Sequence, residues 1–379
     1  MAITYTEFDT TPAGLIAALK AAILTNADWS AIAVTPVSTT TSGATTSTGT
    51  TVTVTSATGF TVGQWITIGT SPETYRQITA IAGSTITVSA QWGAVYSSGS
   101  VFKTRNNIVT AVTDRGAEIF LDLEAGGDNA SFLGVALHRD WTGTVPGGHV
   151  DTKNFYTYYR FSAGTSTMPL HVILSLSKNH LFFSIEGPRA WETSPTSTTY
   201  GSIRNYFAVC DLVPYHAADT TPCVVAIGMT TNSPVPTVTN SAHQVSISRN
   251  TLDTLSWQPG RLATLDWPTI YTTDVVTPNR DCTIDGKTYL LPYVMFSEVQ
   301  GLRGRLSDFF YCGTTAPSPV TDLAEPVGTR VEFDGAEYKL LAVNKGDGSN
   351  VAWGPFGSID NDSSPTRSLV LAVPYADVV

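Results

Sequence analysis

The sequence predicts a mainly β protein: antiparallel β-sandwich domains, a small inserted β-barrel-like module and one N-terminal amphipathic helix. Three observations carry that expectation. Segments such as Gly49-Thr-Thr-Val-Thr-Val-Thr-Ser56 and Ser84-Thr-Ile-Thr-Val-Ser89 alternate β-branched with hydroxyl side chains, the period of two that a half-buried strand requires. Strand-like runs recur with Gly or Pro between them and do not alternate with long helical patterns, which argues against a βαβ architecture. Charged residues make up only 14% of the 379, against roughly 25% in an ordinary globular protein. The solvated faces of these strands are therefore covered by hydroxyls.

Residues 1–35 hold the helix and are expected to belong to the main domain. Thr11 offers a cap and Pro12 suits a first turn. Leu15, Leu19 and Ile23 recur at helical spacing with Ile16 beside them, and the pattern stops at Thr25-Asn26. Such a helix covers either a sheet of its own chain or a neighbouring subunit. Residues 36–103 read as an insertion. A Thr/Ser-rich linker, Ser38–Gly49, is too polar to form a core. Short strands follow around Val52–Thr55, Trp65–Ile68, Tyr75–Ile81 and Thr85–Val88, punctuated by Gly59, Gly63, Gly69 and Gly83.

Residues 104–280 form the expected main β-sandwich domain. Its strands lie near Ile119–Leu123, Ser131–Leu137, Phe155–Phe161, His171–Leu176, Leu181–Ile185, Tyr206–Val209, Val224–Ile227 and Gln244–Ile247. Residues 281–379 form a C-terminal β region. There Asp334-Gly335 is a preferred pair for a tight turn with positive φ, flanked by strand-like residues on both sides. The last strand, Ser368–Pro374, completes either its own sheet or that of another subunit.

A formal net charge of -10 with scattered Lys and Arg, of which Arg303 and Arg305 come nearest to a pair, excludes the basic patch that nucleic acid demands. No apolar run approaches the roughly 20 residues of a membrane span, and no positive-then-apolar leader opens the chain. The expectation is a soluble product of the cytoplasm, which includes a protein assembled there into a particle and released by lysis.

The chemistry-bearing residues form no strong motif. Cys210, Cys223, Cys282 and Cys312 lack zinc-site spacing and read as buried thiols, with a Cys210–Cys223 bridge left open. His138, His149, His171, His180, His216 and His243 show no metal-helix spacing, and there is no nucleophile elbow or phosphate-cradling loop. Asp122, Glu124, Glu186 and Glu192 are the candidates for glycoside cleavage, which needs two facing carboxyl groups. Asp360-Asn-Asp362 and Lys345–Asn350 are the candidate calcium loops. Neither has the distal Glu of an EF-hand loop, and both read as turns. No catalytic residue, metal or cofactor is expected. Trp29, Trp92, Trp141, Trp191, Trp257, Trp267 and Trp353 lie near turn residues, where aromatics plug core ends, form interfaces or stack on sugars. Trp65 and Trp92, both in the inserted module, are the candidate interface or glycan contacts.

Several stretches resemble virion structural proteins of tailed bacteriophages, especially tail and baseplate components. They are Ala17-Ala-Leu-Lys-Ala-Ala-Ile-Leu24 with Asp28-Trp29, Thr113-Asp-Arg-Gly-Ala-Glu118, and His180-Leu-Phe-Phe-Ser-Ile-Glu-Gly-Pro-Arg189 with Thr199-Tyr-Gly-Ser202. The others are Leu212-Val-Pro-Tyr-His-Ala-Ala-Asp219, Gly301-Leu-Arg-Gly-Arg-Leu306 and Leu341-Ala-Val-Asn-Lys-Gly-Asp-Gly348. The similarity covers residues 1–35 and 104–379. Residues 36–103 resemble the small β-domains that phages insert into exposed proteins. The resemblance implies a non-enzymatic subunit of the virion that forms homo-oligomers and contacts other virion structural proteins. The alternatives are an adhesin that binds a host-surface glycan, a head-decoration or neck protein, and a polysaccharide depolymerase.

Overall fold

A computed structural model describes residues 2–11, 14–32, 37–69, 74–104, 107–126, 132–141, 149–158, 170–186, 206–216, 222–229, 243–247, 258–264, 283–284, 287–288, 290–297, 301–312, 330–342 and 370–377. Among them the chain is mainly β, with antiparallel sheets and a single short helix. In order, the elements begin with β1 (Thr4–Thr10), α1 (Leu15–Ile23) and β2 (Ser30–Ala31). Next come β3 (Ser38–Thr40), β4 (Thr51–Thr53), β5 (Trp65–Ile68), β6 (Thr74–Ala82), β7 (Thr85–Val88) and β8 (Val101–Thr104). The chain continues with β9 (Ile108–Val112), β10 (Glu118–Gly126), β11 (Phe132–Trp141), β12 (His149–Tyr158), β13 (Leu170–Leu176), β14 (His180–Glu186), β15 (Tyr206–Pro214), β16 (Val224–Met229), β17 (His243–Ile247) and β18 (Gln258–Thr264). It closes with β19 (Thr283–Ile284), β20 (Lys287–Thr288), β21 (Leu291–Ser297), β22 (Gly301–Cys312), β23 (Arg330–Phe333), β24 (Ala336–Ala342) and β25 (Val370–Asp377).

Strands β13 to β16 are apolar at nearly every position, because both of their faces are covered. Alternation divides them. Val172, Leu174, Phe183, Phe207, Val209 and Ala226 enter one core with α1, β9, β10 and β11. Ile173, Phe182, Ala208, Cys210, Val225 and Ile227 enter a second core with β21, β22, β24 and β25. A strand buried on both sides reads as a continuous hydrophobic run, not an alternating one.

The helix covers its own chain. Leu15, Leu19 and Ile23 are buried in the first core, and Trp29 follows them with its indole N–H donated to the Ser177 carbonyl at 2.8 Å. The helix opens at Leu15 with Gly14 at its cap position, and Thr11 Oγ1 accepts from the Gly14 amide at 3.3 Å. Thr11 therefore braces the turn before the helix and does not cap it. Strand β1, which the polar Thr4–Thr10 run does not announce, pairs along its whole length with β13.

Residues 38–104 carry a separate sheet in the order β3-β8-β5-β6-β7-β4, with its own core around Phe60, Ile66, Ile86, Trp92 and Phe102. Its two end strands meet. Thr41 bridges Val54, the Ser42 amide donates to Thr53 O at 2.8 Å, and the Thr55 amide donates to Thr40 O at 2.8 Å. The segment expected to be a free linker is thus largely built in: Ser38–Thr40 is a strand, and Thr41 and Thr45 are buried. Their hydroxyls satisfy loop backbone, Thr41 donating to Ser97 O at 2.9 Å and Thr45 accepting from Tyr96 N at 2.9 Å. A hydroxyl that finds a backbone partner removes the cost of its burial. The chain leaves the main sheet and returns to it at one place: β2 pairs with β9, and the Ile32 amide donates to Ile108 O at 3.2 Å.

In the C-terminal region the Asp334-Gly335 turn is as expected, with φ of 51° and 78° joining β23 to β24. Strand β25 pairs with β22 and β24 of its own chain. Strand β22 in turn reaches β15 through Pro214 opposite Gly304. A Cβ on Gly304 would lie 2.3 Å from the Val213 carbonyl oxygen and 3.0 Å from Pro214 Cα. Backbone cannot swing aside as a side chain does, so Gly304→Ala is expected to push β22 off β15 and cost about 1–3 kcal/mol. A lower denaturant midpoint with faster amide exchange at Tyr215, whose N–H donates to Arg303 O, checks this.

Candidate functional site

Among the described residues a dense polar cluster lies against the second core, around His180. This residue begins β14 and is wholly buried. Its Nε2 sits 3.1 Å from Ser175 Oγ on β13, and its Nδ1 lies 3.0 Å from both Ser177 Oγ and Asp308 Oδ2 on β22. The ring edge meets Phe309 with centroids 5.5 Å apart. Serine, imidazole and carboxylate in this sequence of contacts have the connectivity of a nucleophilic triad. The hydrogen bonds run the other way. Ser175 Oγ donates to the Pro374 carbonyl at 2.6 Å, and a carbonyl can only accept. The hydroxyl proton is therefore committed to β25, Nε2 must donate to Ser175, and Ser175 is wholly buried. This arrangement ties β13, β14, β22 and β25 together and offers no base to a nucleophile.

A second polar group adjoins it. Asp211 on β15 is buried, with Arg115 Nε 3.8 Å from its Oδ2. Burial, opposed by the Arg115 charge, pushes its carboxyl up to about 7. Beside it the Asn179 carbonyl accepts from the Asp211 amide at 2.8 Å. Asn179 also exchanges side-chain bonds with Asp114, accepting from its amide and donating to Oδ2, both at 2.8 Å. Bonds from Lys178 and Asn179 hold the Asp114 carboxyl below its usual range. Asn179→Ala would strip the Asp114 amide of its partner at a cost of about 1–3 kcal/mol, readable as a fall in thermal midpoint.

On the surface, Glu7 of β1 joins three strands. It accepts from Tyr5 at 2.6 Å and from Lys339 of β24, and its Oε2 lies 3.5 Å from His171 Nε2. Burial raises the Glu7 carboxyl, but these donors outweigh it and the net shift is downward. Tyr5 packs at a 45° tilt against Tyr375 of β25 with centroids 4.7 Å apart, and Arg330 covers the Tyr375 ring at 3.9 Å.

No protein-family model, curated protein or solved structure matches the chain.

The residues singled out in the sequence are scattered by the fold. Trp92 is wholly buried, its indole N–H donated to Thr51 O at 3.0 Å and its ring edge-on to Tyr96 and Phe102. It offers no face for sugar or subunit, which corrects its reading as a contact residue; a large aromatic beside a turn has closed the end of a small core. Trp65 begins β5 opposite Gln77, and its side chain lies outside the described residues. Asp122 is buried on β10 with His138 Nε2 4.0 Å from its Oδ2. The side chains of Glu124 and Glu186, and all of Glu192, lie outside the described residues, as do the two candidate calcium loops. Cys210 and Cys223 are buried and not joined in a disulfide, and burial, with Asp308 and Asp211 nearby, raises the Cys210 thiol well above its ordinary value. His171 and His180 part company: the first is half-exposed beside Asp9 and Glu7, the second sealed in the core.

Among the described residues no group of three His, Cys, Asp or Glu is placed to hold a metal, and no helix is long and apolar enough to cross a membrane. Sequence reasoning missed the His180 cluster because its members come from positions 175, 177, 180, 308 and 374. No local spacing marks them; the one signal was two polar residues, Ser175 and His180, among buried apolar neighbours.

Proposed function

We propose that the chain is a structural subunit of a tailed-phage particle, at or near the tail baseplate, acting through subunit contacts without catalysis. Two β-sandwich-like layers share the central strands, and the inserted module is barrel-like, with its end strands joined. The observation that carries the reading is the way the fold spends its reactive groups. Its serine and histidine are wholly buried beside a partly exposed aspartate, and the serine is directed at a backbone carbonyl, as bracing and not as a site. The small share of charged residues, 14%, supports it too, since few ions have to be desolvated at a subunit contact. Strong interfaces are not required, because repetition around an axis multiplies modest contacts. Electron microscopy of purified particles with antibody to this chain, together with mass spectrometry for copy number, tests the proposal. Label on the tail at a fixed copy number is the expected result; particles lacking the chain would overturn it.

A further inference from the structure

We propose that the His180 cluster is a proton-dependent clasp that holds the C-terminal strands β22 and β25 on the central sheet and loosens as pH rises. The inference rests on counting hydrogens. Ser175 spends its only proton on Pro374 O at 2.6 Å, so the 3.1 Å contact from Nε2 to Ser175 Oγ is a bond only if Nε2 carries a hydrogen. On the other side, Nδ1 and Asp308 Oδ2 face each other at 3.0 Å. Two lone pairs at that distance repel, so a hydrogen lies between them whichever atom owns it. Ser177 Oγ, also 3.0 Å from Nδ1, already accepts from the Asn179 amide at 3.1 Å. The imidazole and its carboxyl partner thus hold two protons together, one more than a neutral ring beside an ionised acid.

Removing one proton leaves two acceptors facing each other, a wholly buried ring and a carboxyl only 16% exposed, where an unmade bond is costly. The two contacts at risk are the ones that cross between layers: Nδ1 to β22, and Nε2 through Ser175 to the backbone of β25. The groups around the ring permit the change. From β15 come the buried Cys210, opposite His180 in register, and Asp211 with its Arg115 partner. From the turn come Ser177 and Asn179, backed by Asp114 and Lys178. From β22 come Asp308 and the Phe309 ring. A state holding the extra proton in the fold and releasing it on unfolding makes stability fall as pH rises.

The test uses the full chain with nitrogen-labelled histidine and amide exchange of Leu371–Tyr375, carried in the Asp211→Asn background so that only one group titrates nearby. At pH 6 one hydrogen is expected on His180 Nε2 and one between Nδ1 and Asp308 Oδ2. At higher pH one proton is lost, and β25 amides exchange at least about tenfold faster than chemistry alone accounts for, matching one unit of linkage. Asp308→Asn should abolish that pH dependence. Ser175→Ala, which removes both the Nε2 acceptor and the Pro374 donor, should weaken β25 at every pH. A ring whose Nε2 carries no hydrogen at pH 6, or loss of the proton without faster exchange in β25, would overturn the clasp.

Discussion

Replacing Asp211 with Asn is expected to stabilise the protein at pH 8 and to leave it unchanged near pH 4. A buried carboxyl whose folded value rises from 3.8 to about 7 binds its proton more tightly folded than unfolded. Stability from that proton is fully present below about pH 4 and is lost as pH climbs to about 7. Above this window the folded chain carries a charge inside, relieved only partly by Arg115, half-exposed and 3.8 Å away. The difference of about three units corresponds to at most about 4 kcal/mol, a large share of the 5–15 kcal/mol or so that holds a typical domain. Asn keeps the shape and removes the charge. Denaturant unfolding at the two pH values checks the sign. A variant weaker than the wild type at pH 8 would mean that the Arg115 pair outweighs the burial.

Trp92→Ala is expected to unfold residues 38–104 while the main sheet survives. The substitution removes a wholly buried indole, its bond to Thr51 O, and edge contacts to Tyr96 and Phe102. Loss of a buried Trp costs about 3–5 kcal/mol. A unit of this size commands only about that much stability from a single core, so the loss is enough to empty the folded state locally. Amide exchange should show protection lost over β3 to β8 and kept in β13 to β16. Trp92→Phe should retain most of the fold. Were the indole a sugar platform instead, Trp92→Ala would abolish binding while leaving the module folded.

What could be read from the sequence followed from periodicity. The TVTVT and TIT runs alternate because one face is wet, and the hairpin at Asp334-Gly335 declares itself because both residues need positive φ. The helix was legible from Leu15, Leu19 and Ile23, but its first residue was not, since Thr11 binds the Gly14 amide one turn early. Strand β1 was hidden because Tyr5, Glu7 and Asp9 meet ions and rings of other strands instead of an apolar core. Strand β3 was hidden for a related reason, since threonine hydroxyls there replace hydrophobic contacts with backbone bonds. The His180 cluster joins residues almost two hundred positions apart, and no window along the chain contains them.

The adjacency of Ile32 and Ile108 has a practical result. The chain departs from and rejoins the host at hydrogen-bonded neighbours, so the ends of the segment between them stay close whatever its length. A change of length between them carries a loop-closure cost that grows only slowly and need not shift the pairing of β2 with β9.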